Sequence, residues 1–405
     1  MMIPQNITQI YLGIFAYVFA WLYGLFLLKK FDLISGRLIC LTLLCLLGHL
    51  FGAIANYSYT MMNGSDSLQY FQMASTQCKG LAYWAAYCMM GYAKKYFVGE
   101  SILNAFLISG AIGFIASIYF LLSYKILLNR LINNIKLYEH QILFPAFILL
   151  CWPSYLFFSA GLIKDCFSFL SVSIVLFVIS NNKINLQSCL HLIVAFLLTI
   201  FIRPYIFVIF ALASVVYFLL NIQKYNISYL FLIIISMIAL FPLIHNYLVL
   251  THFSGFTIKE IGHFAIQQEE YTQIGSKFPM LTHNPWLVFI TLPYLFFANL
   301  LLPIGVGIKN NYILISSIEN LYLFACILYF YINRSVWNDL KNQLNVVTFL
   351  IIYFVIGMSS LSLMNTNVGL AMREKIMYVP VLLICILLTY SYKNIKKSGL
   401  NVCAA

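Results

Sequence analysis

The residues of this chain that could do chemistry are one isolated carboxylate and several cations, all set in apolar surroundings. Asp66 is the only acid between Asp32 and Glu100. A carboxylate placed where membrane meets water can accept a proton from a hydroxyl group as a general base. Asp is also a preferred N-cap, and a helix is expected to begin near Leu68, so the sequence leaves both roles open.

Lysine and arginine recur in the short turns between apolar runs, at Lys164, Arg203, Lys309, Arg373 and Lys375. Ionisable residues near membrane depth are candidates for a functional site, and converging cations suit an anionic group such as a phosphate. Each of them could equally be a solvated turn charge or extend its side chain to the lipid headgroups. Asp165 either neutralises Lys164 as its local partner or fixes its position beside a phosphate.

The composition indicates an integral membrane protein. Of the 405 residues only 8% are charged and 63% are hydrophobic, and the mean hydropathy is +0.92. These values exclude a soluble domain and predict an all-α transmembrane helical bundle, a single integral membrane domain over 1–405. The net charge of +12 does not indicate a nucleic-acid partner, because the 23 Lys and Arg residues are scattered among apolar runs.

Apolar runs of about 20 residues are long enough to cross the hydrocarbon of a bilayer. Eleven are predicted to cross: 8–28, 36–56, 101–123, 142–160, 166–181, 187–202, 205–222, 227–250, 312–332, 344–362 and 376–392. A further run, 285–304, contains Pro285, Pro293 and Pro303. Each proline removes a backbone donor, so we expect a broken, re-entrant or interfacial segment there.

The basic residues of the short loops predict the orientation. Thirteen of them fall on one side if the odd-numbered spans all run in the same direction. By the positive-inside rule that side is cytoplasmic, which puts the N-terminus outside and the C-terminus inside. Loops 57–100 and 251–284 are then on the outer face. Residues 80–97, with many aromatics and two lysines near their end, predict an amphipathic helix lying in the interface.

Neither a metal site nor a bound cofactor is predicted. The histidines and glutamates of loop 251–284 lack the spacing of a zinc motif. Cys78 and Cys88, ten residues apart on one helix, would be separated by roughly 15 Å, so we expect no disulfide between them. Within the spans, His49, His191 and His245 are interpreted as hydrogen-bonded core residues.

Five short stretches, spread over most of the chain, resemble the membrane glycosyltransferases of the GT-C type and the O-antigen polymerases of bacterial polysaccharide clusters. They are GSDSLQYFQMA (64–74), WPSYLFFSAGLIKD (152–165), FIRPY (201–205), LLLPIGVGIKNNYILISSIENL (300–321) and AMREKIMYVP (371–380). The shared pattern is an acid followed by an aromatic residue after an early span, then an interfacial helix and late outer-face arginines. The chain differs in having a further span before the acidic loop and serines on both sides of Asp66.

The resemblance implies transfer of a sugar or oligosaccharide from a polyprenyl phosphate or pyrophosphate to an acceptor hydroxyl at the outer face of the bacterial inner membrane. Carried onto this sequence, it implies that the catalytic residues are Asp66 as the base, Arg203 and Arg373. It implies that the substrate-binding residues are Tyr70, Lys164, Asp165 and Lys309. The expected partners are the lipid-linked glycan and membrane lipids, with no cofactor and no metal.

Two other classes of function stay open. A polytopic transporter or lipid-linked glycan flippase would carry ionisable groups in mid-span, whereas nearly all of those in this sequence map to span ends. A structural or assembly protein without an active site is also compatible with scattered charges.

Overall fold

The computed structural model describes residues 10–64, 66–74, 84–99, 101–131, 139–162, 164–181, 185–221, 263, 266, 284, 286–304, 311–364 and 368–397. The structure is 90% helical, and these residues contain no strand, which agrees with the predicted all-α class. The predicted span 227–250 and most of loop 251–284 lie outside the described residues.

The chain divides into two compact units, Met1–Arg203 (unit 1) and Pro204–Ala405 (unit 2). The described helices of unit 1 are α1 (Tyr11–Lys30), α2 (Gly36–Asn63), α3 (Asp66–Gln72), α4 (Trp84–Ala93), α5 (Ile102–Leu131), α6 (Glu139–Leu150), α7 (Pro153–Phe158), α8 (Lys164–Asn181) and α9 (Leu186–Ile202), with a π-helix, Lys94–Val98, after α4. Those of unit 2 are α10 (Pro204–Leu220), α11 (Leu292–Leu301), α12 (Asn311–Ile332), α13 (Arg334–Gln343), α14 (Asn345–Met364), α15 (Val368–Glu374) and α16 (Val379–Lys397), with short 3₁₀ segments at Val288–Thr291 and Lys375–Met377. The single domain over 1–405 stays a prediction.

Seven of the described helices are long and apolar enough to cross a membrane. They are Tyr11–Lys30, Gly36–Asn63, Ile102–Leu131, Lys164–Asn181, Leu314–Ile332, Asn345–Leu363 and Val379–Lys397. Three further apolar helices, Leu186–Ile202, Pro204–Leu220 and Leu292–Leu301, are shorter. The last of these is about 15 Å long, half of a typical hydrocarbon thickness of about 30 Å. The chain is thus a multi-pass membrane protein by the length and composition of its helices.

The predicted span 142–160 is wrong as a single helix. The structure has two shorter helices there, α6 and α7, which meet at Trp152. Pro153 occupies the first position of α7, where its missing N–H costs nothing, and its ring prevents α6 from continuing. The break brings the chain to a turn in front of α8.

Basic side chains gather at one end of unit 1, where α1, α5 and α8 end and α2 and α9 begin. Lys125 on α5 donates to the carbonyl of Asp32 at 3.0 Å, in the turn between α1 and α2. Arg130 on α5 donates to the carbonyl of Ser180 near the end of α8 at 3.1 Å. We call this the basic end of unit 1; the opposite end holds α3 and the first residue of α8.

Close packing of α2 against α7 sets the position of the turn that follows α7. Gly52 lies against the backbone carbonyl of Leu156, and a methyl group at 52 would overlap it. Asn56, one turn further along α2, donates from Nδ2 to the carbonyl of Phe157 at 3.0 Å. Small and polar residues therefore allow the two backbones to approach closely, as they do in membrane helix packing.

His49 ties the same turn into the interior of unit 1. Its fully buried ring lies 3.1 Å from Ser159 Oγ through Nδ1 and 3.2 Å from Ser117 Oγ through Nε2. Gly113 leaves space for this contact, because a Cβ there would lie 2.7 Å from Ser159 Cβ. The predicted role of His49 as a hydrogen-bonded core residue is confirmed.

Candidate functional site

Asp165 and Arg203 form a buried ion pair at the end of unit 1 opposite the basic end. Arg203 Nη2 donates to Asp165 Oδ1 at 2.6 Å, and the side chains are only 5% and 3% exposed. Charge-assisted bonds are roughly twice as strong as neutral ones. Asp165 is also in the first turn of α8, where the helix dipole favours a carboxylate.

Gly161 provides the space for this carboxylate. It lies in the turn between α7 and α8, and a Cβ at this position would overlap Asp165 Oδ2 and lie 3.1 Å from Asp165 Cγ. The turn anchored by His49 therefore determines where the Asp165 side chain can lie.

Lys164 presents its ammonium group to an aromatic face. Its Nζ lies 4.8 Å from the centroid of the Tyr70 ring, and Tyr70 meets Tyr87 edge-on with centroids 5.1 Å apart. Such cation–π contacts contribute about 0.5–2 kcal/mol, depending on burial. Asp165, which the sequence offered as a local partner of Lys164, bonds to Arg203, a residue 38 positions away.

A second lysine makes the same kind of contact on α3. Lys94 Nζ lies 4.8 Å from the centroid of the Phe71 ring. The neighbouring residues Tyr70 and Phe71 of α3 therefore each contact the ammonium group of a lysine. Lys94 begins the π-helix, a rare geometry that is frequent at functional sites. Lys94 was not among the predicted site residues, although the two lysines at the end of an aromatic loop were a visible signal.

Four of the seven predicted site residues form two side-chain pairs in unit 1, Tyr70 with Lys164 and Asp165 with Arg203. The pairs are neighbours because Lys164 and Asp165 are consecutive in the chain, and we call these four residues the Lys164 cluster. Asp66 is the first residue of α3 and lies one helical turn before Tyr70. The helix thus begins two residues earlier than the sequence predicted. Arg373 lies on α15 in unit 2, and Lys309 lies outside the described residues.

Cys88, on α4, is disulfide-bonded. The spacing of Cys78 and Cys88 predicts no disulfide between the two if one helix runs through both residues. The described helix is Trp84–Ala93, and Cys78 lies outside the described residues. Disulfides persist in oxidising compartments and are rare in the cytosol.

Unit 2 buries a cation that the predicted site did not include. Lys375 is 2% exposed, and its Nζ donates to Oδ1 of Asn320, which is 0% exposed. Burial lowers the pKa of Lys375 to about 8, and the negative charge of Glu319 acts in the opposite direction. The sequence carried a signal, because Glu319 and Asn320 interrupt the apolar run 312–332.

Among the described residues, no group of three or more His, Cys, Asp or Glu side chains is placed to hold a metal ion. Comparison with known proteins finds no matching family model, and neither a curated protein nor a solved structure matches the chain.

Proposed function

We propose that the chain is a membrane-embedded glycosyltransferase or polymerase of surface-polysaccharide assembly. Its donor is a sugar or oligosaccharide on a polyprenyl phosphate or pyrophosphate, and its acceptor is a hydroxyl group. The observation that carries the proposal is the Lys164 cluster, in which a lysine, an ion pair and a tyrosine meet at the end of unit 1 where α3 begins with an acid.

The reaction needs an acid–base group and a stabilised leaving group. The acceptor oxygen attacks the anomeric carbon and forms the new glycosidic bond, while the bond from that carbon to the carrier phosphate breaks. The phosphate leaves with the electron pair, and a carboxylate takes the hydroxyl proton. Cations beside the phosphate stabilise the charge that develops there.

We assign the phosphate contact to Lys164. Its ammonium is only partly buried, and the Tyr70 ring holds it in place. Arg203 is nearly inaccessible and bonded to Asp165, so we assign this pair the task of positioning the first turn of α8. Asp66 is proposed as the base, and the role of Arg373, which lies in unit 2, stays a prediction.

The proposed site is at the outer face of the bacterial inner membrane, with the C-terminus in the cytoplasm. Two observations support this orientation. The basic end of unit 1 is where the positive-inside rule expects the cytoplasm. The disulfide-bonded Cys88 is on α4, and α4 contacts α3 through Tyr87 and Tyr70 at the opposite end, which suits an oxidising compartment.

Replacement of Lys164 tests the proposal. Lys164→Met should reduce glycan transfer on the order of a hundredfold or more, since it removes a cation from the leaving group. The measurement is the length distribution of surface polysaccharide in cells that express the full chain, with protein abundance followed by immunoblot. Lys164→Arg, which keeps the charge, should retain part of the activity.

Lys95→Met is the matched control. Lys95 is exposed and lies 5.1 Å from the centroid of the Tyr96 ring, so the change removes a comparable cation–π pair from the neighbouring segment. It should leave polymer length unchanged. A normal length distribution of surface polysaccharide in the Lys164→Met strain, with the protein at normal abundance, would contradict the proposal that the chain is a glycosyltransferase.

A second candidate function is a polytopic transporter or a lipid-linked glycan flippase. It is favoured by Glu319, which is 6% exposed within the candidate span Leu314–Ile332. The prediction that nearly all ionisable groups map to span ends overlooked this residue. An ionisable group buried inside a span is typical of a transport pathway. Accumulation of lipid-linked precursor on the cytoplasmic leaflet of the Lys164→Met strain would favour this class.

A further inference from the structure

Lys375 and Asn320 bring more hydrogen-bond donors together than acceptors. The Lys375 ammonium donates one bond, to Asn320 Oδ1. Asn320 Nδ2 has no acceptor in the part of the chain that the structure describes. An ammonium has three N–H groups and an amide two, which leaves two donors on each residue at one buried point.

This arrangement is costly unless something accepts those donors. A buried donor without an acceptor costs about 1–3 kcal/mol, and a charged one costs more. Glu319 is close enough to act on the charge of Lys375, but no salt bridge joins Lys375 to a carboxylate among the described residues. Asn320 lies about 9 Å into a candidate span that begins at Leu314, where water is scarce.

The same residue types form another pair in unit 2, in which the amide nitrogen has an acceptor. Lys393 Nζ donates to Asn333 Oδ1 at 2.5 Å, and Asn333 Nδ2 donates to the carbonyl of Tyr329 at 2.7 Å. Lys393 also lies over the Tyr329 ring, 5.6 Å from its centroid. The Lys393 pair therefore differs from the Lys375 pair in two ways: its amide nitrogen has an acceptor, and its lysine is only partly buried.

We propose that Lys375 and Asn320 form a phosphate-binding site in unit 2. A phosphate group offers several oxygen acceptors and negative charge, which matches two amide donors beside an ammonium. Glu319 helps to keep the ammonium in its charged form. The phosphate could belong to a prenyl lipid or be inorganic phosphate, and the site stands whether or not the chain is a transferase.

Binding to the purified full chain in detergent tests this site. The probes are inorganic phosphate and geranyl phosphate, and the measurement is the rise in melting temperature with probe concentration. Lys375→Met should weaken the apparent affinity on the order of tenfold or more, equivalent to about 1.4 kcal/mol. Lys393→Met, the matched control, should bind as the wild type does.

Asn320→Asp keeps the test decisive if Lys375→Met folds poorly. The new carboxylate would pair with the ammonium at almost unchanged volume and repel an anion, so probe binding should be lost while the fold is kept. A rise with both probes identifies the phosphate group itself as the ligand, and a rise with geranyl phosphate alone identifies a lipid. The proposal is overturned if neither probe raises the melting temperature, which would leave internal water as the acceptor. It is also overturned if both variants bind like the wild type.

Discussion

Arg203 in unit 1 and Lys375 in unit 2 are both buried, and their side-chain partners differ. In unit 1, Arg203 meets a carboxylate at 2.6 Å. In unit 2, Lys375 meets the neutral amide of Asn320. The charge of Arg203 is thus balanced by the carboxylate of Asp165, whereas Lys375 and Asn320 together have more hydrogen-bond donors than acceptors. The two cations are similarly buried, so burial does not distinguish them, whereas the count of donors against acceptors does.

The largest expected effect breaks the ion pair of unit 1. Asp165→Leu or Arg203→Met alone should lower the free energy of unfolding by about 3–5 kcal/mol, because each leaves a buried charge without its partner. The double variant should return close to the wild-type value. Reversible unfolding in mixed micelles titrated with dodecyl sulfate measures all three.

The exposed pair of Lys396 and Asp339 is the control for these variants. Its atoms are 3.2 Å apart, but the side chains are 63% and 46% exposed. Surface pairs contribute about 0–1 kcal/mol, so the corresponding single replacements should have little effect. A double variant of the buried pair as unstable as its singles would show that the charges do not compensate each other.

A smaller effect is expected from Gly161→Ala, which keeps both charges but removes the space for the Asp165 carboxylate. Overpacking of this kind costs about 1–3 kcal/mol. Gly36→Ala is the control, because a Cβ there has no neighbour within 4 Å. Equal unfolding free energies for the two variants would mean that the turn before α8 adjusts without strain.

The smallest effect, opposite in sign, is expected from Lys375→Met in unit 2. Because the wild type buries a charge without a bridging carboxylate, the variant should be as stable as the wild type or more stable by about 1 kcal/mol. The pKa of Lys375 falls from 10.5 in the unfolded chain to about 8 in the folded one. Between these values the unfolded chain binds more protons, so wild-type stability rises with pH.

The advantage of Lys375→Met should therefore be full below about pH 8 and shrink as the pH rises toward 10.5. Unfolding measured at about pH 7 and about pH 9.5 in the same micelles checks this. A variant markedly less stable than the wild type at the lower pH would mean that the Lys375 ammonium is a stabilising partner, and the contrast between the units would fail.

The sequence predicts the helices far better than the contacts between them. Composition and run length were sufficient for the membrane class and for helices such as α1, α8 and α9 within a few residues. The pairing of Asp165 with Arg203 could not be predicted from the sequence. Helices that are apolar on all sides have no hydrophobic periodicity that would indicate which of their faces are in contact. By contrast, Pro153 and Glu319 are visible in the sequence as interruptions of apolar runs, because a proline ends a helix and an ionisable residue is costly inside a span.

The π-helix Lys94–Val98 affects the direction in which the Lys94 side chain lies. In this segment Gly99 N–H reaches the carbonyl of Lys94, five residues back, at 2.9 Å. A π turn holds one residue more than an α turn would, and each residue rotates a helix by about 100°. Deletion of a single residue here would restore an α-helix, and it would rotate the preceding helix α4 by about a quarter turn about the helix axis. The direction of the Lys94 side chain thus depends on the number of residues between Lys94 and α5, because the π turn contains one residue more than an α turn would.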